Sequence, residues 1–507
     1  MTSLIIHGHF YQPPRENPWT GEVEREESAA PFHDWNERIH DECYRPNAYA
    51  HIVDGAVERV INNYANISFN FGPTLLSWLQ RHHPQTYQEI LAADKESASK
   101  RAGHGNAIAQ AYGHAILPLC NEHDRLTQVV WGLADFRYRF GREAESLWLP
   151  ETACNDQTLD LLIDREMRFV ILAPEQAGRV RSTTAEEWRD AGSGNIDTTR
   201  PYHYVHRDGS GRSLAVFFYH GPLARAIAFE RALSSSEGLV ERFIQVAHTG
   251  SLVNVATDGE TYGHHFKFGD LCLAHALEIE ARQAELRTTN YAQYLDECPP
   301  EVEVEIDNGP GGEGTSWSCT HGVGRWSRDC GCHTGGEAGW NQRWRGPLRA
   351  ALDFLRDDAA SYFDSIGREL LRDPWAARNA YIQLILDEGR SREEFFKQQA
   401  SYHLSAAEEE RALALLEIQR NSLLMFTSCG WFFSDLAGLE TIQVMRYAAR
   451  VIDLQSQLAL PTPRKTFLEM MAEAKSNLPE RGNGADIYLR FAEPLSVAGS
   501  AEPIAAI

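Results

Sequence analysis

Five short, unbroken apolar runs constrain this chain more than any other feature. SLIIHGHF (3–10), ISFNF (67–71), SLWLP (146–150), FVILAP (169–174) and LVNVAT (252–257) lack the polar alternation of a half-exposed strand. They read as strands buried on both faces. Between them the spacing predicts helices over 34–63, 124–140 and 237–248. Repeated strand-then-helix units require a parallel sheet, open or closed as a barrel. The stretch YHYVHRDGSGRSLAVFFY (202–219), centred on Asp208-Gly209-Ser210-Gly211, reads as a β-hairpin inserted into that series.

The alternation stops near residue 310. Residues 311–346 form a Gly-rich segment without a period, holding three of the nine Cys and four of the twelve Trp, so an irregular loop is expected. From Pro347 the pattern is wholly helical. The fold class is therefore α/β: a barrel region over 1–310, the irregular loop over 311–346, a helical bundle over 347–480 and a loosely ordered tail over 481–507.

Composition removes several function classes. The 507 residues carry 48 Lys+Arg against 71 Asp+Glu, a net charge of −23 that repels a phosphate backbone. No nucleic-acid partner is expected. No apolar run approaches the roughly 18 residues that cross a bilayer, so no membrane partner is expected either. The opening MTSLIIHGHFYQPP has no basic n-region and a short apolar run. With an odd, scattered set of nine Cys, this points to a reducing cytoplasm.

In parallel α/β architectures, sites are built at the carboxyl ends of strands. Here those ends carry His7, His9, Tyr11 and Gln12; then Trp148-Leu149-Pro150-Glu151; then Thr257-Asp258-Gly259-Glu260-Thr261-Tyr262-Gly263-His264-His265. Two carboxylates on separate strands suit glycoside hydrolysis, one as base or nucleophile and the other as acid. Taken singly, Glu151 also fits a helix N-cap and Asp258-Gly259 a simple turn.

In order and spacing, HGHFYQPP, GNAIAQAYGHAILPL (105–119), WLPE and TDGETYG resemble the successive motifs of glycoside hydrolase family 57, whose members act on α-glucans as amylases, glucanotransferases and branching enzymes. The likeness spans roughly residues 3–345. It implies a distorted (β/α)7 barrel followed by a mainly α-helical domain. It also implies retaining chemistry through a glycosyl-enzyme, with Glu151 as nucleophile and Asp258 as acid/base. Trp148 and Glu260 match positions lining the donor sugar site, and His9 matches a substrate-contacting histidine. The motifs depart at Tyr11, where the family places His before Gln-Pro, and in the second motif, which offers Asn106, Gln110 and His114 instead of a carboxylate.

His264 and Trp317 complete the candidate substrate contacts, Trp317 because a flat aromatic face stacks on a sugar ring. The expected partner is an oligosaccharide or polysaccharide, with no cofactor and no metal in the pocket. Two alternatives stand beside this reading. His7, His9, His264 and His265 with Asp258 suit a zinc site such as that of polysaccharide deacetylases or α-mannosidases, and a barrel of this kind can bind glycan without cleaving it. Cys319, His321, Cys330, Cys332 and His333 have zinc-ligand chemistry, but C-x10-C-x-C lacks the paired C-x-x-C spacing of common zinc sites. Reduced thiols packing a Gly-rich loop are the other reading.

Overall fold

In a computed structural model, the residues described here are 2–184, 187–387, 389 and 391–493. The chain divides into two interleaved compact units. Unit 1 comprises Met1–Gln12, Arg25–Ala111 and Phe136–Ser318; unit 2 comprises Pro13–Glu24, Tyr112–Asp135 and Cys319–Ile507.

Among the described residues, seven strands of unit 1 form one lateral parallel series: β1 (Ser3–Phe10), β2 (Ser68–Phe71), β3 (Ala109–Gln110), β4 (Leu147–Trp148), β5 (Phe169–Leu172), β6 (Ser213–Phe218) and β7 (Leu252–Asp258), with the two-residue strand Arg287–Thr288 also parallel to the start of β1. All eight residues of β1 are buried, because it is flanked on both sides: by β7, with Ser3 opposite Leu252, and by β2, with His7 opposite Ser68. Parallel pairing continues from Phe69 to Ala107, from β3 to β4, from Ser146 to Phe169 and from β5 to β6. The lateral order is β7-β1-β2-β3-β4-β5-β6. Past the end of β6, the His220 backbone N–H donates to Asn254 O in β7 (2.7 Å). Helices follow the strands and are capped by the local sequence. Asn155 accepts from Thr158 N ahead of Asp156–Asp164, and Ser235 accepts from Gly238 N ahead of Ser236–Ala247.

Three sequence expectations need correction. Residues 34–63 are not one helical stretch: short helical turns end at Ala48, and Ala50–Asp54 pairs antiparallel with Val57–Ile61. The apolar residues there (Ile52, Val57, Ile61) lie four or five positions apart, close to helical spacing, but Gly55 with φ +63° supplies the hairpin turn. The 202–219 segment is a hairpin, Tyr202 facing Val216, yet its second arm is β6 itself. LAVFF is fully buried, so this arm belongs to the parallel series. The expected strand over 146–150 is cut to Leu147–Trp148, because Pro150 opens a tight turn.

Among the described residues, the regular elements of unit 2 are helices, joined by isolated bridges and by the irregular stretch ahead of Arg345. Its long helices are Arg345–Leu370, Pro374–Leu386, Ala406–Leu424 and Leu439–Gln457. Ala406–Leu424 starts at a capping box in which Ser405 and Glu408 bond reciprocally. It runs through the core with a buried face of Leu, Ile, Asn and Gln. Arg378 is buried there against Asp124 (2.8 Å) and Gln419 (3.0 Å), so its charge is paired rather than stranded. Within the expected loose tail over 481–507, Gly484–Phe491 is instead a helix capped by Asn483, with Ile487 and Tyr488 buried. Residues 494–507 of that expectation lie outside the described residues. Among the described residues, no helix is long and apolar enough to cross a membrane.

Candidate active site

The carboxyl ends of β1, β2, β4 and β7 bring their polar residues together in unit 1. On β1, His7 and His9 point to one face, two residues apart. Ser68 Oγ lies 3.0 Å from His7 Nδ1, and His7 Nε2 lies 3.0 Å from Asn70 Oδ1. Asn70 Nδ2 donates to His9 Nδ1 (2.9 Å) and to Gln110 Oε1 (2.7 Å). Burial pushes both imidazoles down to about 3, against the opposing hydrogen bonds to Asn70, so both are neutral near pH 7. Trp148 stacks on both rings, at centroid distances of 4.7 and 4.9 Å. Its indole Nε1 is buried and finds no protein acceptor.

Glu151 lies in the turn after β4 with φ +58° and ψ +22°, left-handed backbone that a non-glycine residue adopts only when its surroundings impose it. Those surroundings come from 315–318. Cys154 and Thr315 form an antiparallel bridge. Trp317 N donates to Glu151 O (3.1 Å) and Thr152 Oγ1 (3.1 Å). On the side chain, Trp317 Nε1 (3.0 Å) and Ser318 Oγ (2.6 Å) both donate to Glu151 Oε2. Glu151 is therefore not a helix N-cap; Asn155 holds that position for the following helix.

Asp258 ends β7, opposite His9 across the β1 register, so it is strand rather than the middle of a simple turn. Its carboxyl lies well above the usual carboxylate range, first through burial and then through the negative charges of Glu260 and Glu151. It is nevertheless open to solvent. Solvent at the exposed side chain screens part of that rise. The strand can turn at once because Gly259 has no side chain: a Cβ there would lie 2.3 Å from the Phe10 ring.

Glu260, buried just beyond, accepts from Tyr44 Oη (2.7 Å) and Tyr11 N (3.0 Å) through Oε1. Burial raises its carboxyl to about 7 despite those donors.

Of the sequence candidates, Glu151, Asp258, His9, Trp148, Glu260 and Trp317 are thus linked by contacts or by their charges. His264 is engaged elsewhere: its Nδ1 pairs with Glu42, and Trp35 packs edge-on against its ring. His114 bonds Ser428 Oγ (2.7 Å) within unit 2. Asn106 donates to Tyr64 O (3.0 Å) and is a structural residue of unit 1. Sequence reasoning passed over Asn70, Tyr44 and Ser318. Asn70 and Ser68 left a signal, two polar residues in register inside a strand otherwise read as apolar. Tyr44 and Ser318 left none. Among the described residues, the His, Cys, Asp and Glu groups whose ligand atoms all lie within 4.8 Å of one another are Cys319-His321-Cys330-Cys332 and Glu37-His40-His83. His7, His9, His264 and Asp258 do not form such a group.

The chain matches the family model of Glycosyl hydrolase family 57 over residues 3–307. Residues 340–504 match a domain of unknown function, DUF3536. No curated protein matches. Among solved structures, an exo-type maltose-forming amylase from Pyrococcus sp. ST04 is similar at 16% identity and TM-score 0.63, covering 99% of this chain and 94% of that one. A GH57-type branching enzyme from Pyrococcus horikoshii is similar at 14% identity and TM-score 0.57, covering 100% and 98%. A 4-alpha-glucanotransferase from Thermococcus litoralis gives 14% identity and TM-score 0.52, covering 90% and 60%. At these identities the likeness is one of fold.

Proposed function

We infer, for a chain that belongs to glycosyl hydrolase family 57, a retaining enzyme that hydrolyses, transfers or branches α-linked glucans. The seven parallel strands of unit 1 close as a distorted (β/α)7 barrel, a reading supported by the His220–Asn254 bond between the ends of the series. The observation that carries the chemistry is the contrast between the two carboxyls. Glu151 is clamped through one oxygen by Trp317 and Ser318, and Asp258 is pushed upward by its surroundings.

Glu151 attacks the anomeric carbon with its other oxygen while Asp258 gives its proton to the glycosidic oxygen, and the leaving chain departs. The glycosyl ester on Glu151 has lost a negative charge. The proton affinity of Asp258 falls accordingly, and it accepts a proton from water or from an acceptor sugar hydroxyl, which attacks the ester and frees Glu151. His7, His9 and Asn70 form a neutral network at the β1 end that orients hydroxyls without competing for the developing positive charge. Trp148, stacked on both imidazoles, holds that network in place.

The test is to incubate the protein with maltooligosaccharides, amylose and glycogen and to follow product sizes, new branch points and the anomeric configuration of first products by NMR. α-Configured first products from α-linked substrate are expected. Initial β-products would overturn retention, and absence of product from every glucan would overturn the substrate class in favour of another glycan or a binding role.

A further inference from the structure

The 319–332 segment belongs to unit 2 and plays no part in the chemistry above, yet it gathers four soft ligands. Cys319 and His321 come from one short stretch and Cys330 and Cys332 from another, each pair separated by one residue. Their Sγ and imidazole nitrogen atoms all lie within 4.8 Å of one another. Cys319 Sγ and Cys330 Sγ are 3.8 Å apart, and Cys332 Sγ and His321 Nδ1 are 3.5 Å apart. A tetrahedral zinc with Zn–S of about 2.3 Å and Zn–N of about 2.0–2.1 Å has S···S edges of about 3.8 Å and S···N edges of about 3.5 Å. Both pairs sit at those edge lengths, and the S···S distance is far beyond the roughly 2.05 Å of a disulfide.

The surroundings supply a second, independent observation. Arg325 and Arg345 are buried, at 6% and 0% exposure. Among the described residues neither forms an ion pair with a carboxylate. Their charged groups meet neutral oxygens and aromatic faces: Arg345 donates to Cys332 O (2.6 Å) and lies over the Trp344 ring, and Arg325 donates to Thr334 Oγ1 (2.9 Å) and Phe432 O (3.0 Å) and lies over the Phe432 ring. The Nε of each is buried without a partner. Two cations buried in this way call for a nearby anion. Three thiolates and one neutral imidazole around a divalent cation carry a net charge of −1. The loop is also shaped for it: a Cβ at Gly324 would come within 3.1 Å of Cys330 Cβ, so glycine lets the second cysteine stretch close on the first. His333, the fifth residue singled out in the sequence, is not part of the group; its Nδ1 bonds Gly335 O (2.9 Å).

We propose that Cys319, His321, Cys330 and Cys332 form a structural zinc site that fixes the irregular segment. Binding releases the protons still held by the three thiols and leaves the imidazole neutral. The closed set of three thiolates and one imidazole leaves no open position for substrate, so the site orders the loop rather than performing chemistry. The other cluster of ligand types, Glu37-His40-His83, is already internally bonded: His40 Nε2 lies 2.9 Å from Thr86 Oγ1 and His83 Nε2 lies 3.0 Å from Glu37.

The full chain, purified after expression with zinc and stripped of loosely held metal by a mild chelator, is analysed for metal content. About one zinc per chain is expected, falling at least tenfold in Cys319→Ser, Cys330→Ser and Cys332→Ser and surviving in His321→Cys, which completes an all-thiolate set. Cobalt substitution of the wild-type protein needs no variant to fold. It should give the thiolate-to-cobalt charge-transfer and tetrahedral ligand-field bands of a sulfur-rich site. Metal-free wild-type protein after zinc reconstitution would overturn the proposal. So would zinc retained in all three serine variants but lost in His7→Ala or His40→Ala. Two fewer free thiols than the chain's nine cysteines, in protein denatured with chelator without reductant, would replace the site by a disulfide.

Discussion

The strand ends and the Gly-rich segment meet at one carboxylate and reach it by opposite routes. Glu151 and Asp258 are delivered by β4 and β7, whose positions follow from parallel pairing and burial. Trp317 and Ser318 are delivered by an irregular stretch between two short 3-10 turns, held by the Cys154–Thr315 bridge and by the bonds to Glu151 itself. The strands place the reacting groups. The segment decides how one of them is oriented. A pocket built only on strand ends would leave a strained turn at Glu151 to relax, and the donors from 317–318 hold it in place.

The largest expected effect tests the strand side. Glu151→Gln keeps the size of the side chain and removes the nucleophile, and kcat on the best glucan should fall by at least about 10³-fold with the thermal midpoint nearly unchanged. Asp258→Asn should cost about 10²- to 10⁴-fold. It should recover most of its glycosylation rate on a substrate whose leaving group departs without protonation, such as an α-glycosyl fluoride. A Glu151→Gln protein retaining most of its activity would remove the nucleophile assignment and with it the division of labour between the two regions.

The next effect sharpens the comparison from the segment side. Hydrogen bonds to a charged group contribute about 1.5–3 kcal/mol, so Ser318→Ala and Trp317→Phe should each lower kcat by roughly 10- to 100-fold, with KM changed less. If either matched Glu151→Gln, the segment would be supplying a reacting group rather than orienting one.

This asymmetry also marks what the sequence disclosed. SLIIHGHF and LVNVAT appear as strands over almost the residues expected, because burial on both faces leaves an unbroken apolar run. The helical part from Pro347 was readable for the same reason, its apolar positions recurring at helical spacing. The hairpin at 50–61 was hidden because its apolar residues lie close to helical spacing, and the role of β6 was hidden because lateral partners leave no mark in a single strand. Of the residues brought together at the candidate site, those lying within the motif runs could be picked out in advance as candidates: Glu151, Asp258, Glu260, Trp148 and His9. Tyr44 reaches Glu260 from a helical turn 216 residues away, and Ser318 reaches Glu151 from 167 residues away. No local pattern encodes such long-range bonds. His264 followed the motif in sequence, but the chain has already turned, and it faces Glu42 instead.

A smaller effect concerns the acid. The negative charge of Glu260 is one cause of the raised proton affinity of Asp258, so Glu260→Gln should move the alkaline limb of the kcat/KM–pH profile to lower pH. A limb unmoved or moved upward would mean that a group other than Asp258 sets it.

A last effect is on stability rather than rate, and it separates the buried strand face from the segment. His7 and His9 are held at about 3 in the folded protein against an ordinary value of 6.5. The unfolded chain therefore binds more protons than the native one as pH falls between those values. Stability from these two groups is full above about pH 6.5 and is lost progressively down to about pH 3. Glu260, raised from 4.5 to about 7, acts in the opposite sense: its contribution is present below about pH 4.5 and declines as pH rises to about 7. Urea midpoints measured from pH 7 to pH 4 should fall less steeply for His7→Gln than for the wild type, since one of the buried imidazoles that take up a proton on unfolding, His40 being another, is gone. Ser318→Ala, which removes no buried imidazole, should keep the wild-type slope. Equal slopes for His7→Gln and the wild type would mean that the buried imidazoles at the β1 end do not control acid unfolding.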